Sequence, residues 1–384
     1  MTLKAQSATA APPLEEREWR YRRIRKEMEK AGLDGLLIYA PSWRRENFRY
    51  VTGAALQSSV ALAYLPATGA PTAFVLSAED ERATKAAGFV EDVRRVTLAS
   101  TAEIADRLRE GGAPEKIGVA GWDFLPASLL AGLKEAAPGA EFVNGTMIGD
   151  KVRLVKSGWE IQKLRRAGEI CDAAWLAFLE AIVPGAHEFD IVANAEAKLR
   201  SMGGADNFML IASGGDDVRG MTPPTDRKLE KGDMVRTELT PQWDGYWTQI
   251  CRSAVMGPAS DAQKKSFDLF NESVAAGIDV IKPGVTAHDI AKAENDVFRK
   301  YGYGEYCTAE YTRVRGHCLG LYLDEVLILE GVETVLEENS VLIVHPNTYT
   351  PIAGYHVLGD SVVVTKNGAE KLFKTPRQLD EVPV

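Results

Sequence analysis

Residues 228–257 read KLEKGDMVRTELTPQWDGYWTQICRSAVMG, and this stretch decides the fold of the second half of the chain. Apolar and polar residues alternate on both sides of the tetrapeptide WDGY at 243–246, which is typical of two strands joined by a tight turn. Asp-Gly is a favoured pair in such turns because both of its residues tolerate positive φ. The stretch therefore predicts a β-hairpin.

Three polar side chains interrupt the apolar positions of this hairpin. Glu238 lies in the first strand, and Gln249 and Cys251 lie two residues apart in the second, so these two share a face. A buried carboxylate or amide needs a partner, so the three side chains indicate a polar site. The alternative is that Glu238 forms an ion pair with Arg236 or Arg252 across the hairpin.

Three of the five histidines, His317, His345 and His356, lie in strand-like segments of the final fifth of the chain. The other two, His187 and His288, stand near the starts of predicted helices and are expected at the surface. Imidazole titrates near neutral pH and serves in proton transfer, so the group of three predicts a site. The alternative for each is a structural histidine at a strand end.

The first part of the chain alternates short apolar runs with helical patterns, which favours an α/β domain. Four apolar runs predict buried strands, at 34–40, 61–66, 72–77 and 117–121. One helical pattern then covers 151–182. We predict three segments: a flexible tail over 1–14, an N-terminal α/β domain over 15–152 and a C-terminal catalytic domain over 153–384.

The second half contains an internal repeat. PGAHEFDIVANAEAKLRSMG begins at Pro184, and PGVTAHDIAKAENDVFRKYG begins at Pro283. The two copies share Pro-Gly, Asp-Ile, an arginine near the helix end and the final glycine. Matched helical units of this kind predict a duplicated half-domain with a pseudo-twofold axis.

The composition excludes several classes of protein. Of the 384 residues 45% are hydrophobic and 26% charged, as in a globular protein rather than a disordered chain or a fibre. The formal net charge of −9 argues against a general nucleic-acid binder, which needs a basic surface. The four cysteines form no CxxC pair and favour a reducing compartment, and no apolar run is long enough to span a membrane. We therefore expect a cytoplasmic protein without nucleic-acid or membrane partners.

The chain resembles the superfamily of creatinase, aminopeptidase P and prolidase. The stretches that carry the resemblance cover nearly the whole chain: 29–53, 155–174, 228–257, 315–325 and 338–372. The resemblance implies an α/β two-domain protein, in which an N-terminal creatinase-like domain precedes an α+β pita-bread catalytic domain with a pseudo-twofold repeat. It also implies a homodimer.

Peptidases of this superfamily bind two divalent metals through two Asp, one His and two Glu. The resemblance assigns these five positions to Glu238, Gln249, His317, His345 and Gly359. Only one carboxylate remains among them, which is too little negative charge for two close divalent cations. We therefore expect no metal cofactor, with one divalent metal at Glu238, His317 and His345 as the alternative.

The resemblance to creatinase, which has this fold and works without metal, favours a hydrolase or lyase that cleaves a C–N bond of a small polar nitrogen compound. His317 is expected to donate a proton to the leaving nitrogen, while Glu238 or His345 orients water. Arg315 is a further candidate for binding a substrate carboxylate. The residues expected to bind substrate are Gln249, Cys251, Arg252, Arg313, His356 and Asp360.

Three alternatives stay open. The chain could be an Xaa-Pro-type metallopeptidase with a rearranged ligand set, or a non-catalytic pseudo-peptidase that binds other molecules. In the third alternative Cys251 is a nucleophile with His317 or His345 as its base, which requires a lowered thiol pKa.

Overall fold

A computed structural model of the chain describes residues 14–110 and 112–384. The tail predicted over 1–14 lies outside the described residues except for Leu14, which begins the first helix. The chain divides into two units, one ending at Arg153 and one spanning Leu154–Val384, and we propose these as its two domains. No helix of the described ranges is long and apolar enough to cross a lipid bilayer.

The first unit is built on one mixed sheet. Its helices are α1 Leu14–Lys30, α2 Glu46–Thr52, α3 Ala78–Ala87, α4 Thr101–Arg109, α5 Ala127–Ala136 and α6 Thr146–Leu154. Its strands are β1 Gly35–Pro41, β2 Val60–Pro66, β3 Thr72–Val75, β4 Asp92–Arg95, β5 Lys116–Ala120 and β6 Glu141–Asn144. The strand order is β4-β3-β2-β1-β5-β6. The four predicted apolar runs form β1, β2, β3 and β5, which confirms the α/β prediction.

The second unit combines long helices with a sheet that is antiparallel except for the pairing of its last strand. Its helices are α7 Gly158–Glu180, α8 Glu188–Ser201, α9 Asp261–Asp279 and α10 Ala287–Lys300. Its strands are β7 Asp206–Gly214, β8 Met234–Trp243, β9 Tyr246–Trp247, β10 Ile250–Met256, β11 Gly316–Cys318, β12 Leu327–Ile328, β13 Val341–Val344, β14 Asn347–Thr350, β15 Gly354–Val357, β16 Gly359–Thr365, β17 Gly368–Lys371 and β18 Asp380–Val382.

The predicted hairpin lies at the centre of this unit. In the large sheet β8 and β10 pair antiparallel, and the strand order is β12-β11-β13-β16-β10-β8-β7. The turn residues Asp244 and Gly245 have φ of 48° and 82°, the positive values that a two-residue hairpin turn needs. The hairpin prediction is therefore confirmed.

The internal repeat appears as two helical hairpins, α7 with α8 and α9 with α10. Helices α8 and α10 have 14 residues each, and Gly185 and Gly284 before them both have positive φ. Helices α9 and α10 bury Phe270 and Phe298 in one core with β13 and β16. The predicted duplication is confirmed as a structural repeat of the catalytic unit.

The single helix predicted over 151–182 is instead two helices. Helix α6 ends at Leu154, and Val155 forms a β-bridge with Ser340. Ser157 then caps α7 through a capping box with Glu160. The prediction was wrong because a serine followed three residues later by glutamate is a helix start, and it stops the preceding helix from continuing.

Candidate functional site

Four neighbouring strands of the large sheet, β13, β16, β10 and β8, bring the candidate residues side by side. Cys251 on β10 lies opposite Glu238 on β8 and opposite Gly359 on β16. His345 directly follows β13, whose last residue Val344 pairs with β16. The cysteine and the histidine therefore flank a glycine, although they are 94 positions apart in the sequence.

Gly359 is what allows this approach. A Cβ atom built on it would meet the His345 Cβ at 2.4 Å and the Val344 carbonyl oxygen at 2.7 Å. Real Cβ contacts are not that short, so any side chain at 359 would push the imidazole away. The missing side chain keeps His345 close to the neighbouring strand.

The side chains of Glu238, Cys251 and His345 form a compact group. One ligand atom from each lies within 4.8 Å of the corresponding atoms of the other two. The Glu238 carboxylate makes no hydrogen bond within the described chain, and burial raises its pKa to about 7. The alternative for Glu238, an ion pair with Arg236 or Arg252, is wrong, because both guanidinium groups bind other acceptors.

Burial also keeps the thiol of Cys251 neutral in the absence of a cation. The side chain is fully buried, and burial, reinforced by the charge of Glu238, raises its pKa well above the usual value. A nucleophilic cysteine needs the opposite shift. The structure therefore gives no support to the alternative in which Cys251 attacks the substrate directly.

One ring nitrogen of His345 has no hydrogen-bond partner within the part of the chain that the structure describes. Its Nδ1 lies 3.1 Å from the Asn347 amide nitrogen, while its Nε2 is buried with no hydrogen-bond partner. Burial lowers the pKa of His345 well below the usual value, and the neighbouring His317 lowers it further. A neutral imidazole with an unused nitrogen is the form that binds metal ions.

His317 lies against the other side of His345, with 5.2 Å between the ring centroids. Its Nδ1 is 3.3 Å from the Cys318 carbonyl oxygen and 4.0 Å from an Asp324 carboxylate oxygen. A carbonyl can only accept, so Nδ1 carries the proton and Nε2 is left as a proton acceptor. Burial lowers the pKa of His317, which favours this neutral form.

Two further polar side chains belong to the site. The buried Gln249 places its Nε2 3.6 Å from Cys251 Sγ, and its Oε1 has no hydrogen-bond partner. Tyr355, which sequence reasoning missed, is buried beside Glu238 and Cys251, and burial, reinforced by the charge of Glu238, raises its pKa well above the usual value. The sequence signal for Tyr355 is its place next to His356 in β15. Neighbouring residues on a strand face opposite sides, so only one of the two can face the site.

Two arginines lie near this group and are accessible to solvent. The Arg313 side chain is 62% exposed and is bound to Asp324, and its charge acts on Glu238. Arg219, also missed, is exposed with its Cζ 3.8 Å from the ring centre of Tyr349, the cross-strand partner of Tyr355. The Arg219 guanidinium makes no ion pair in the described chain, whereas an anionic ligand would have to compete with Asp324 for Arg313.

Two residues predicted to bind substrate, Arg252 and Asp360, have structural partners instead. All five N–H groups of Arg252 are used, on the carbonyls of Cys251, Gly359, Thr375 and Pro376 and on the carboxylate of Asp360. Asp360 is fully buried in this network, which also includes Lys371. These two residues therefore leave the set of candidates for substrate binding.

His356 and Arg315 are also placed away from the group. His356 stacks on Phe270 of α9 and contacts Ser266, and burial lowers its pKa to about 3. Arg315 is buried, with bonds to Asn295 and to the carbonyl of Asn347. Both side chains support the packing around the site rather than facing a substrate.

Comparison with known protein families shows which family this chain belongs to. The family described as Metallopeptidase family M24 matches residues 162–366, and the Creatinase/Prolidase N-terminal domain matches residues 20–155. The chain belongs to metallopeptidase family M24. Membership confirms the predicted superfamily and the two-domain fold with its pita-bread catalytic part.

Individual relatives of this M24 chain agree. It is 30% identical over 363 residues to the Xaa-Pro dipeptidase of Pyrococcus horikoshii, which covers 93% of this chain and 97% of the relative. The solved Xaa-Pro dipeptidase from Bacillus anthracis superposes with a TM-score of 0.83 at 26% identity, covering 96% of this chain and 100% of the other. Dipeptidase PepE from Mycobacterium ulcerans gives 0.81 at 28% identity, covering 96% and 99%.

The expectation that no metal cofactor is used is contradicted, because family M24 is a family of metallopeptidases. That expectation counted ligands only at the superfamily's own positions and left Cys251 out. The alternative metal site at Glu238, His317 and His345 also needs correction, since the compact group in the described chain contains Cys251 in place of His317.

The residues present fit one ion and not a close pair. The group of Glu238, Cys251 and His345 supplies three donor types suited to a divalent metal. A second ion would have to rely on the uncharged Gln249 and on Gly359, where there is neither a side chain nor space for one. The family's pair of metals therefore does not fit this arrangement.

Proposed function

We propose that this M24 chain is a metal-dependent hydrolase of dipeptides, and that Xaa-Pro dipeptides are its first substrate class. The geometric support is the group of Glu238, Cys251 and His345 beside His317. Support from relatives comes from the Xaa-Pro dipeptidase that matches 93% of this chain. The proposal replaces the creatinase-like substrate that we expected first and takes up its peptidase alternative.

Within this proposal Glu238, Cys251 and His345 would hold the ion. A bound divalent metal supplies Lewis-acid polarisation of the scissile carbonyl. His317, neutral with its proton on Nδ1, accepts a proton from the attacking water at Nε2 and passes it to the leaving nitrogen. The Cys318 carbonyl and Asp324 orient the ring and stabilise its transient positive charge.

The ends of a dipeptide match the remaining polar groups. Arg313 and Arg219 offer guanidinium groups for the substrate carboxylate, which arginine can bind in a bidentate manner. The unpartnered Oε1 of Gln249 accepts a hydrogen bond from the substrate amine. A small substrate with one charge at each end is therefore favoured over a long peptide.

The setting of the enzyme is part of the same proposal. The described cysteines are all free thiols, which supports a reducing compartment such as the cytoplasm. We further propose a homodimer, as the superfamily resemblance implies. Analytical ultracentrifugation of the full chain should give twice the 41.9 kDa chain mass, and a monomer at micromolar concentration would refute the dimer.

The first experiment measures hydrolysis of a dipeptide panel by enzyme that has been stripped with a chelator and reloaded with zinc, cobalt or manganese. We expect cleavage of Xaa-Pro dipeptides only in the loaded enzyme. His317→Gln should lower kcat by about 10²–10⁴-fold, the usual contribution of a general base, without loss of folding.

The matched control is His288→Gln, which removes a histidine of α10 that binds the Gly331 amide at the surface. It should keep full activity. If no dipeptide is hydrolysed with any of the three metals, the peptidase proposal is refuted. The alternative of a non-catalytic binding protein is then favoured. Full turnover by His317→Gln would refute the proton-transfer role alone.

A further inference from the structure

The geometry points to a mononuclear centre of the zinc type in which the Cys251 thiolate is a metal ligand, together with Glu238 and His345. This centre differs from the carboxylate-rich pair of metals that the superfamily resemblance implies. The inference rests on the proposed function for the use of the ion in catalysis, but its binding can be tested without any substrate.

Two changes at the superfamily's ligand positions act together with Cys251 to build the centre. Glycine at 359 leaves room for residue 345 to approach the neighbouring strand, and histidine at 345 supplies an imidazole there. Cys251 lies on the strand beyond that glycine and directly faces Glu238. One change makes room, the second places an imidazole there, and the thiol completes the set.

Two buried polar atoms at the site have no hydrogen-bond partner among the described residues. His345 Nε2 and Gln249 Oε1 have no hydrogen-bond partner, and their side chains are 3% and 1% exposed. Buried polar atoms are normally satisfied, so unpaired ones mark a missing ligand or water. Glu238 adds a carboxylate with no hydrogen bond in the described chain.

The Asn347 amide lies against Nδ1 of His345, the ring nitrogen that has to carry the proton when Nε2 binds a metal. The amide nitrogen has the carbonyl oxygens of Val314 and His345 as acceptors, at 2.8 and 3.1 Å. If its two hydrogens go to those carbonyls, none is left for Nδ1, but the amide nitrogen has no lone pair to accept a proton from Nδ1. Metal binding through Nε2, which requires the proton on Nδ1, therefore has to offset an unfavourable contact between the Nδ1–H group and the Asn347 amide.

The donor set determines which metal is preferred. A thiolate with an imidazole suits zinc and cobalt, whereas manganese and magnesium prefer oxygen ligands. One thiolate and one carboxylate balance the two positive charges of the ion in a buried place. Three protein ligands with a further position left for substrate or water are typical of catalytic zinc sites.

The other two fully buried cysteines show that burial alone does not explain Cys251. Cys171 directs its sulfur to the Leu239 carbonyl, and Cys318 lies in β11 beside the Lys156–Glu325 ion pair. Neither belongs to a three-residue group of potential metal ligands in the described chain. Cys171 is therefore a matched control for a buried thiol.

The test uses the full-length wild-type chain, stripped of metal and titrated with Co²⁺ alone. We expect a near-ultraviolet sulfur-to-cobalt charge-transfer band that saturates at one equivalent. Zinc should displace the cobalt at one equivalent, as measured by elemental mass spectrometry, and manganese in large excess should not. Saturation at two equivalents, or a cobalt spectrum without the charge-transfer band, would overturn the inference.

Variants then identify the thiol. Cys251→Ser should abolish the charge-transfer band and weaken zinc binding. The loss of affinity should exceed the roughly 10–100-fold that follows when a residue hydrogen-bonded to a metal ligand is replaced. Cys171→Ser should keep both the band and the affinity. A charge-transfer band that survives in folded Cys251→Ser overturns the assignment. If that variant does not fold, the titration of the wild-type chain still distinguishes one thiolate-bound ion from a pair of ions.

These results separate the two proposals. If the band and its stoichiometry are found but no dipeptide is cleaved, the zinc centre stands and the proposed function fails. If Xaa-Pro dipeptides are cleaved with two equivalents of metal and no charge-transfer band, the proposed function stands and the thiolate centre fails.

Discussion

At the scale of single residues, the site depends on what Gly359 lacks. The superfamily position calls for a glutamate there, yet a Cβ would come within 2.4 Å of the His345 Cβ. The contact is with the Cβ and backbone of residue 345, so in the present backbone any side chain at 359 collides with residue 345 whatever its type. The two positions therefore have to be considered together.

We predict that Gly359→Ala destabilises the protein by about 1–3 kcal/mol, the usual cost of forcing a methyl group into a packed interior. It should also weaken metal binding, because His345 is the neighbour that has to move. Urea unfolding of the metal-free protein measures the first effect, and a cobalt titration measures the second.

The control for this prediction is Gly158→Ala, where an added Cβ meets no atom within 4 Å. It should leave both quantities unchanged. Equal stability of Gly359→Ala and wild type would show that the two strands can separate and that the glycine is not required.

At the scale of elements, one of the buried positions at which the repeated helices differ carries, in α10, a glutamate side chain without a hydrogen-bond partner in the described chain. Residue 195 of α8 and residue 294 of α10 are equivalent in the repeat, and both are fully buried. The first is alanine, whereas the second is a glutamate whose two carboxylate oxygens have no hydrogen-bond partner. Burial raises the pKa of Glu294 well above the usual value, and the nearby Arg315 opposes this only in part.

We therefore predict that Glu294 makes the free energy of unfolding depend on pH. Because its pKa is raised in the folded state, its favourable contribution is complete below the unfolded pKa and is lost as pH rises towards the folded pKa. The loss is about 1.4 kcal/mol for each unit between the two values. Glu294→Gln should remove this pH dependence above about pH 4.5, measured by urea unfolding at a series of pH values.

An exposed glutamate provides the comparison. Glu310→Gln changes the same charge on the surface and should leave the wild-type pH dependence intact. If Glu294→Gln and wild type lose stability in parallel as pH rises, then Glu294 ionises without cost and must have a partner for its charge.

At the scale of the whole molecule, the candidate metal ligands all belong to one unit. Glu238, Cys251 and His345 come from strands β8 and β10 and from the end of β13, all within Leu154–Val384. The ion would therefore tie together strands whose sequence separation is large. A ligand that binds only the folded state stabilises the structure that holds its ligands.

We predict that zinc slows amide hydrogen exchange in β8, β10 and β13 and leaves the exchange of β1 to β6 unchanged. Mass spectrometry of the peptides from metal-free and zinc-loaded full-length protein measures this directly. Cys251→Ser with zinc serves as the control, because it should resemble the metal-free protein. Protection confined to β1–β6 would contradict the location of the centre.

The sequence by itself determined the hairpin at 228–257, the duplicated helices and the two-domain architecture, because alternation, turn residues and helix caps are local signals. It also singled out Glu238, His317 and His345 as residue types suited to chemistry. Only the tertiary structure decided which polar residues meet, since that depends on strand register and on close approach at Gly359. For the same reason the sequence could not show that Arg252 and Asp360 are held by cross-strand partners, or that His356 packs against α9, instead of binding substrate. It also could not show that Cys251 is a candidate metal ligand, because that depends on which strands lie beside β10.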